Sequence, residues 1–163
     1  MYKPTLALGW GFTFSRKVIM LYLTLFLSAF ISATLLPSSS EVIMVGMITQ
    51  SQVNLWLLWL VATLGNVLGS CVNYWLGTQV LRFKHKTWFP VSEQGLEKAQ
   101  NQFNKYGVYS LLFAWLPVVG DPLTVIGGIF KVRFSVFLLL VTLGKGARYL
   151  AVIALAVGVE ALI

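Results

Sequence analysis

Two cations of this sequence lie inside an otherwise apolar run. Lys145 and Arg148 fall near the middle of residues 134–159, and their spacing of three places them on one face of a helix. Inside a membrane, each unpaired cation would be destabilising by roughly 2.5 to 3.5 kcal/mol, so both need partners. Glu41 and Asp121 are the acids embedded in apolar sequence. We therefore expect them to pair with the two cations inside the protein.

Such a cluster of two acids and two cations could serve as a transport site. The cations would attract an anionic group such as a lipid phosphate, and a carboxylate could take up a coupling proton. The more ordinary explanation is that two buried ion pairs brace the helices against each other. We favour the transport site because ionisable residues inside membrane spans mark a pathway more often than a purely structural contact.

Two amide side chains are further candidates for this site. Asn66 and Asn73 are seven residues apart, two helical turns along one face of an apolar segment. Gly65, Gly69 and Ser70 lie beside them, and such small residues let a second helix approach closely. A packing seam with hydrogen bonds between helices is therefore the favoured interpretation, and a part in binding is the alternative.

The composition indicates whether these residues lie in a water-soluble protein or in a membrane protein. Of the 163 residues, 58% are hydrophobic and 10% are charged, whereas about a quarter of the residues in soluble domains are charged. These proportions indicate an integral membrane protein of one-domain size and exclude a large multi-domain enzyme. The basic residues cluster in short runs between apolar stretches, which indicates contact with an anionic membrane face rather than with nucleic acid.

Metal and cofactor chemistry is not expected. The single cysteine, Cys71, cannot form an internal disulfide, and the single histidine, His85, is a poor basis for a zinc site in a chain with five acids. The sequence carries no nucleophile elbow, zinc-protease motif or phosphate loop. We therefore expect neither an enzyme nor a bound cofactor.

Apolar runs of two lengths predict the elements that position the cluster. Residues 53–81 and 134–159 are each long enough to cross a hydrocarbon core of about 30 Å. Before each of them come two shorter apolar pieces, which predict a re-entrant hairpin that dips into the membrane and returns. The hairpin breaks are predicted at Pro37, Pro117, Gly120 and Pro122. A full crossing by residues 18–36 is the alternative for the first piece.

The two halves of the chain resemble each other. A shift of about 80 residues superimposes Glu41 on Asp121 and Gly65 on Gly144, which predicts an internal duplication. We therefore expect an all-α integral membrane protein with a single domain, 1–163, made of two repeats, each a re-entrant helical hairpin followed by a transmembrane helix. The expected boundaries are 18–81 for repeat one, 82–106 for the linker and 107–159 for repeat two. The periodicity of the linker favours a surface amphipathic helix, with a plain solvated connector as the alternative.

Several motifs make the chain similar to a known family. They are Ser32-Ala-Thr-Leu-Leu-Pro37 with Ser40-Glu-Val42, Gly65-Asn66 with Gly69 and Asn73, Trp115-Leu-Pro-Val-Val-Gly-Asp121, and Leu143-Gly-Lys-Gly-Ala-Arg-Tyr149. These blocks closely resemble the YqaA group of bacterial inner-membrane proteins. That group is part of the DedA superfamily, also called the SNARE-associated or VTT-domain superfamily.

The resemblance implies two re-entrant hairpins with neighbouring transmembrane helices and a role in moving lipids across the bilayer. Superfamily members are associated with undecaprenyl-phosphate recycling, phospholipid scrambling and dependence on the proton motive force. By position, Glu41 and Asp121 resemble the hairpin acids, and Arg148 resembles a functional arginine of the last core helix. Other members carry an arginine shortly before the second hairpin proline, where this chain has Trp115; Lys145 and Arg148 could replace that cation.

These observations together predict a multi-pass transporter of the bacterial inner membrane that moves phospholipids or polyprenyl phosphates, with proton coupling as an option. Its expected partners are membrane lipids with anionic headgroups, protons and a second copy of the chain in a homodimer, but not nucleic acid. The alternatives are a proton- or cation-coupled transporter of small solutes and a membrane scaffold protein that maintains the cell envelope.

Overall fold

The chain folds into helices preceded by one short strand pair. The computed structural model describes residues 6–8, 12–14, 16–33, 39–50, 53–80, 103, 107–116 and 119–160. In chain order the elements are β1 (Leu6–Leu8), β2 (Phe12–Phe14), α1 (Arg16–Ser32), α2 (Ser39–Gln50), α3 (Leu55–Val80), a 3₁₀ helix (Val108–Trp115), α4 (Gly120–Ile129) and α5 (Phe134–Glu160). The antiparallel pairing of β1 with β2 is not part of the all-α expectation. Sequence patterns do not predict it, because three-residue strands are too short to stand out as apolar runs. The rest of the described chain is helical, as predicted.

Of the described helices, α3 and α5 are long and apolar enough to cross a membrane. They contain 26 and 27 residues, which corresponds to about 40 Å at the α-helical rise. The indole of Trp59 on α3 donates a hydrogen bond of 2.9 Å to the carbonyl of Gly146 on α5. Both predicted spans are therefore long apolar helices, and they lie against each other.

The remaining helices are shorter. α1 has 17 residues, α2 has 12, the 3₁₀ helix has 8 and α4 has 10. The longest of these described helices, α1, is about 25 Å long, so none of them reaches the roughly 30 Å of a hydrocarbon core. These lengths agree with predicted hairpin arms, but the re-entrant path stays a prediction.

The predicted hairpin breaks are only partly located. Pro37 and Pro117 lie outside the described residues. Gly120 and Pro122 belong to the first turn of α4, where a proline fits because its missing N–H has no partner there in any case. These two residues therefore start the second helix of the predicted hairpin, and the hairpin itself stays a prediction.

Glycines bring α1 against α3. A Cβ atom added at Gly65 would lie 2.5 Å from the carbonyl oxygen of Phe26, and one added at Gly69 would lie 2.5 Å from that of Phe30. Neither contact can be relieved by rotating a side chain, because the neighbouring atom is backbone. The predicted packing seam of small residues on α3 is thus present.

A capped turn fixes the direction in which α4 leaves for α5. The N–H of Val132 donates to the carbonyl of Gly127 at 3.0 Å, and Lys131 takes a left-handed φ of 51°, as in a Schellman cap. The hydroxyl of Tyr74 on α3 donates to the Val132 carbonyl at 2.7 Å. This turn ties α4 and α5 to the middle helix.

The predicted amphipathic linker, residues 82–106, lies outside the described residues except for Phe103. The ring of Phe103 packs on that of Phe130, with centroids 4.9 Å apart.

Candidate transport site

Lys145 lies at the centre of the site. Its side chain on α5 is 4% exposed, and its Nζ lies 3.0 Å from Oδ1 of Asp121. Nζ also donates a hydrogen bond to Oδ1 of Asn66 on α3. Asp121 lies in the first turn of α4, where the positive end of the helix dipole favours a carboxylate. One cation therefore joins three helices.

Arg148 forms the second ion pair, one turn further along α5. Its Nε lies 2.5 Å from Oε1 of Glu41, which belongs to the first turn of α2. Its Nη1 donates to the carbonyl of Trp115 at 2.9 Å. That carbonyl ends the 3₁₀ helix, where the last carbonyls have no partner within the helix. Both predicted pairings of an acid with a cation are thus found, and the pairs take one acid from each half of the chain.

A chain of uncharged groups continues from Lys145 to α2. Because Oδ1 of Asn66 accepts from Lys145, its Nδ2 is free to donate to the hydroxyl of Tyr149, 2.8 Å away. That hydroxyl is also 2.8 Å from Oγ of Ser40. Tyr149 is 2% exposed. The hydrogen bonds therefore run without a break from Asp121 to the first turn of α2, beside the other acid.

A groove of about 310 Å³ lies beside Arg148. It is lined by Trp115, Gly144, Ala147, Arg148 and Ala151. Ala147 and Ala151 are exposed, so among the described residues the groove opens on the outer surface of α5. Its wall is apolar apart from the guanidinium.

Asn73 does not join this network in the described part of the chain. Its Nδ2 donates to the carbonyl of Ala33 at 2.7 Å, just beyond the end of α1. That carbonyl lacks a helical partner, so Asn73 caps α1. For Asn73 the structure supports the packing interpretation, whereas Asn66 lies within the site.

Sequence reasoning missed the hydroxyl groups of the site, those of Tyr149 and Ser40. Their positions offered a signal, because Tyr149 follows Lys145 by four residues on the same helical face and Ser40 precedes Glu41. Thr63, one turn before Asn66, also carries a buried hydroxyl, which has no hydrogen-bond partner among the described residues.

No cluster of three potential metal ligands occurs among the residues that the structure describes.

Comparison with known proteins places this arrangement in a family. The family profile of the VTT domain matches residues 36–157. The chain belongs to the VTT-domain family. The match contains both acids and both cations of the site, and it confirms the resemblance to the DedA superfamily found from the motifs.

Relatives of this VTT-domain protein occur in several bacteria. The inner membrane protein YqaA of Escherichia coli is 40% identical over 131 residues, which cover 80% of this chain and 87% of that protein. An uncharacterized protein of Haemophilus influenzae is 38% identical over 80% of this chain and 84% of its own length. The uncharacterized membrane protein YbfM of Bacillus subtilis is 29% identical over 76% of this chain and 80% of its own length. No solved structure matches.

The family, these relatives and the two spanning helices together make the chain a bacterial inner-membrane protein, as predicted.

Proposed function

We propose that this VTT-domain protein moves lipids, either phospholipids or polyprenyl phosphates, across the bacterial inner membrane. The observation that carries the proposal is Arg148, which lines an apolar groove and is held there by Glu41 and the Trp115 carbonyl. A guanidinium suits a phosphate because its planar donors match the phosphate oxygens. The lipid chains would remain in the bilayer beside the groove.

The location of the charges supports movement rather than binding alone. Arg148 lies near the middle of α5, a helix long enough to cross the membrane. Charged groups at such a depth typically line the path of a substrate. The acids come from α2 and α4, two helices too short to cross, and broken helices near the midplane are a common feature of transporter sites.

The two ion pairs would have different roles. A headgroup phosphate would replace Glu41 on Arg148, and the released carboxylate could take up a coupling proton. The pair of Lys145 with Asp121 is more deeply buried on its cationic side, so we assign it to holding α4 against α5. This division predicts that loss of Arg148 affects transport more than insertion into the membrane.

Reconstitution into liposomes tests the proposal. The liposomes would carry a fluorescent phospholipid or a labelled polyprenyl phosphate, and translocation would be followed by a membrane-impermeant quencher added outside. We expect Arg148→Ala to reduce translocation to the level of empty liposomes. Arg133→Ala is the matched control, because Arg133 is an exposed arginine outside the site, and it should retain transport.

Two results would contradict this assignment. Translocation by Arg148→Ala at the unaltered rate would remove the headgroup role of the arginine. If the folded protein moves neither lipid, a proton- or cation-coupled carrier of small solutes becomes the better assignment. Such a carrier would use the acids but would not need the groove.

A further inference from the structure

Two neighbouring contacts join the first turn of α2 to α5. The hydroxyls of Ser40 and Tyr149 lie 2.8 Å apart, and the next residue of α2, Glu41, pairs with Arg148, which precedes Tyr149. Ser40 and Tyr149 are 1% and 2% exposed, whereas the side chains of Glu41 and Arg148 are 23% and 18% exposed. A headgroup can therefore reach the ion pair but not the contact between the two hydroxyls.

The charge on Lys145 fixes which of the two hydroxyls donates. An ammonium group can only donate, so Asn66 presents its Oδ1 to Lys145 and its Nδ2 to Tyr149. The tyrosine oxygen therefore accepts from Nδ2, and Ser40 is the remaining partner for the tyrosine hydrogen among the described residues. Tyr149 thus donates to Ser40, and this donation does not depend on what Arg148 binds.

The other described contacts of α2 do little to fix its first turn. The buried methionines Met44 and Met47 pack into the core further along the helix. Val42, directly after Glu41, is 74% exposed. Once Glu41 leaves its arginine, the contact between the hydroxyls is therefore the polar contact that still holds this turn against α5 in the described part of the chain.

We infer that Tyr149 is a positioning residue, which keeps Glu41 beside Arg148 while a headgroup is bound there. This inference rests on the proposed lipid transport and adds a regulatory step to the same site. With α2 held through Ser40, the released carboxylate stays at a high effective concentration and competes with the headgroup for the guanidinium. Glu41 thus speeds the release of the lipid at the end of each passage.

Chemical labelling of the two acids tests this role without any transported lipid. Dicyclohexylcarbodiimide forms a stable N-acylurea with carboxyl groups in apolar surroundings, and peptide mass spectrometry separates the adducts of Glu41 and Asp121. We expect Tyr149→Phe to label Glu41 about fivefold faster, as fits the loss of one hydrogen bond, and to leave the rate at Asp121 unchanged. Ser40→Ala removes the same contact and should have the same effect, so the double variant should add nothing. Tyr109→Phe, at an exposed tyrosine, is the control.

Transport kinetics give a second measurement. The rate of movement of a fluorescent phospholipid is measured in liposomes over a range of its mole fraction. When Glu41 competes less with the headgroup, the lipid binds more tightly and leaves more slowly. In Tyr149→Phe, we therefore expect the maximal rate and the half-saturating mole fraction both to fall about fivefold. A purely structural role would lower the maximal rate alone, through a smaller fraction of folded protein.

The outcomes separate this inference from the function on which it rests. An unchanged labelling rate at Glu41, or an equal rise at both acids, would overturn the positioning role and leave lipid transport standing. A lower maximal rate with an unchanged half-saturating mole fraction would also overturn it. If the folded, unaltered protein moves no lipid, the transport function is overturned, and the labelling still decides whether Tyr149 holds Glu41 at Arg148.

Discussion

Lys145 is the residue whose replacement should most affect stability. In Lys145→Met, Asp121 loses its ionic partner and Oδ1 of Asn66 loses its donor. We expect the free energy of unfolding in detergent micelles to fall by about 3 kcal/mol, as is typical when one partner of a buried pair is removed. Denaturant titration followed by circular dichroism measures it. Lys131→Met, at an exposed lysine, is the matched control and should change stability by less than about 0.5 kcal/mol.

The double variant Lys145→Met/Asp121→Asn identifies the cause of that loss. With the carboxylate neutralised, no unpaired charge remains, so the double variant should be more stable than Lys145→Met alone. If it is equally unstable, the lysine stabilises the protein by something other than its pair with Asp121.

Tyr149→Phe removes a single hydroxyl from the hydrogen-bonded chain. The amide of Asn66 and the hydroxyl of Ser40 would lose their partner in a buried place. We expect the midpoint of thermal unfolding to drop, with a loss of about 1 to 2 kcal/mol in the free energy of unfolding. Tyr109→Phe is the control because Tyr109 is 72% exposed. Equal stability of the two variants would show that the hydroxyl of Tyr149 does not stabilise the site.

The charged residues of the site could be predicted from sequence, whereas for its hydroxyls the sequence offers only their positions beside Lys145 and Glu41. A charge in apolar sequence must find a partner, so four charges among apolar residues already predict two pairs. Which acid pairs with which cation depends on how the helices cross, and sequence periodicity does not give the crossing. The two asparagines show the same limit: Asn73 lies at the end of α1 and Asn66 lies at Lys145. Spacing alone places both on one face.

At the level of helices, the contact between α1 and α3 depends on glycine. Gly65→Ala places a Cβ 2.5 Å from the carbonyl oxygen of Phe26 and must push the helices apart. We expect a loss of about 2 kcal/mol, as for other overpacked contacts, measured as a lower midpoint of thermal unfolding in detergent. Gly158→Ala on α5 is the matched control, since no atom lies within 4 Å of its added Cβ. Because alanine favours a helix over glycine, Gly158→Ala should not lose stability, and a similar loss in both variants would show that close approach to α1 does not decide the effect.

The proposed duplication gains support from a second glycine. Gly144, which the sequence superimposes on Gly65, lies against the 3₁₀ helix, and its added Cβ would be 2.6 Å from the carbonyl oxygen of Leu112. The same close approach thus occurs in both halves. The 3₁₀ winding could not be predicted from sequence, because the hydrogen bond from Arg148 to the Trp115 carbonyl at its end joins residues far apart in the chain.

For the molecule as a whole, the direction in which the groove opens can be tested. A fluorophore attached at Ala147→Cys in a Cys71→Ser background should be quenched by lipids brominated on their acyl chains, because the groove opens on the outer surface of a spanning helix. A fluorophore at Arg133→Cys, before α5 begins, should instead be quenched by iodide in water. Quenching of the Ala147 position by iodide alone would show that the groove faces an aqueous cavity.

The sequence separation of the ion pairs has a consequence for biogenesis. Glu41 and Arg148 are 107 residues apart. At bacterial synthesis rates, about 5 to 20 s therefore pass between the synthesis of Glu41 and that of Arg148. Both cations belong to α5, so neither acid can be neutralised by its partner until this helix enters the membrane. A nascent or truncated chain without α5 therefore carries two unpaired carboxylates, a feature by which membrane proteases could distinguish unfinished copies from completed ones.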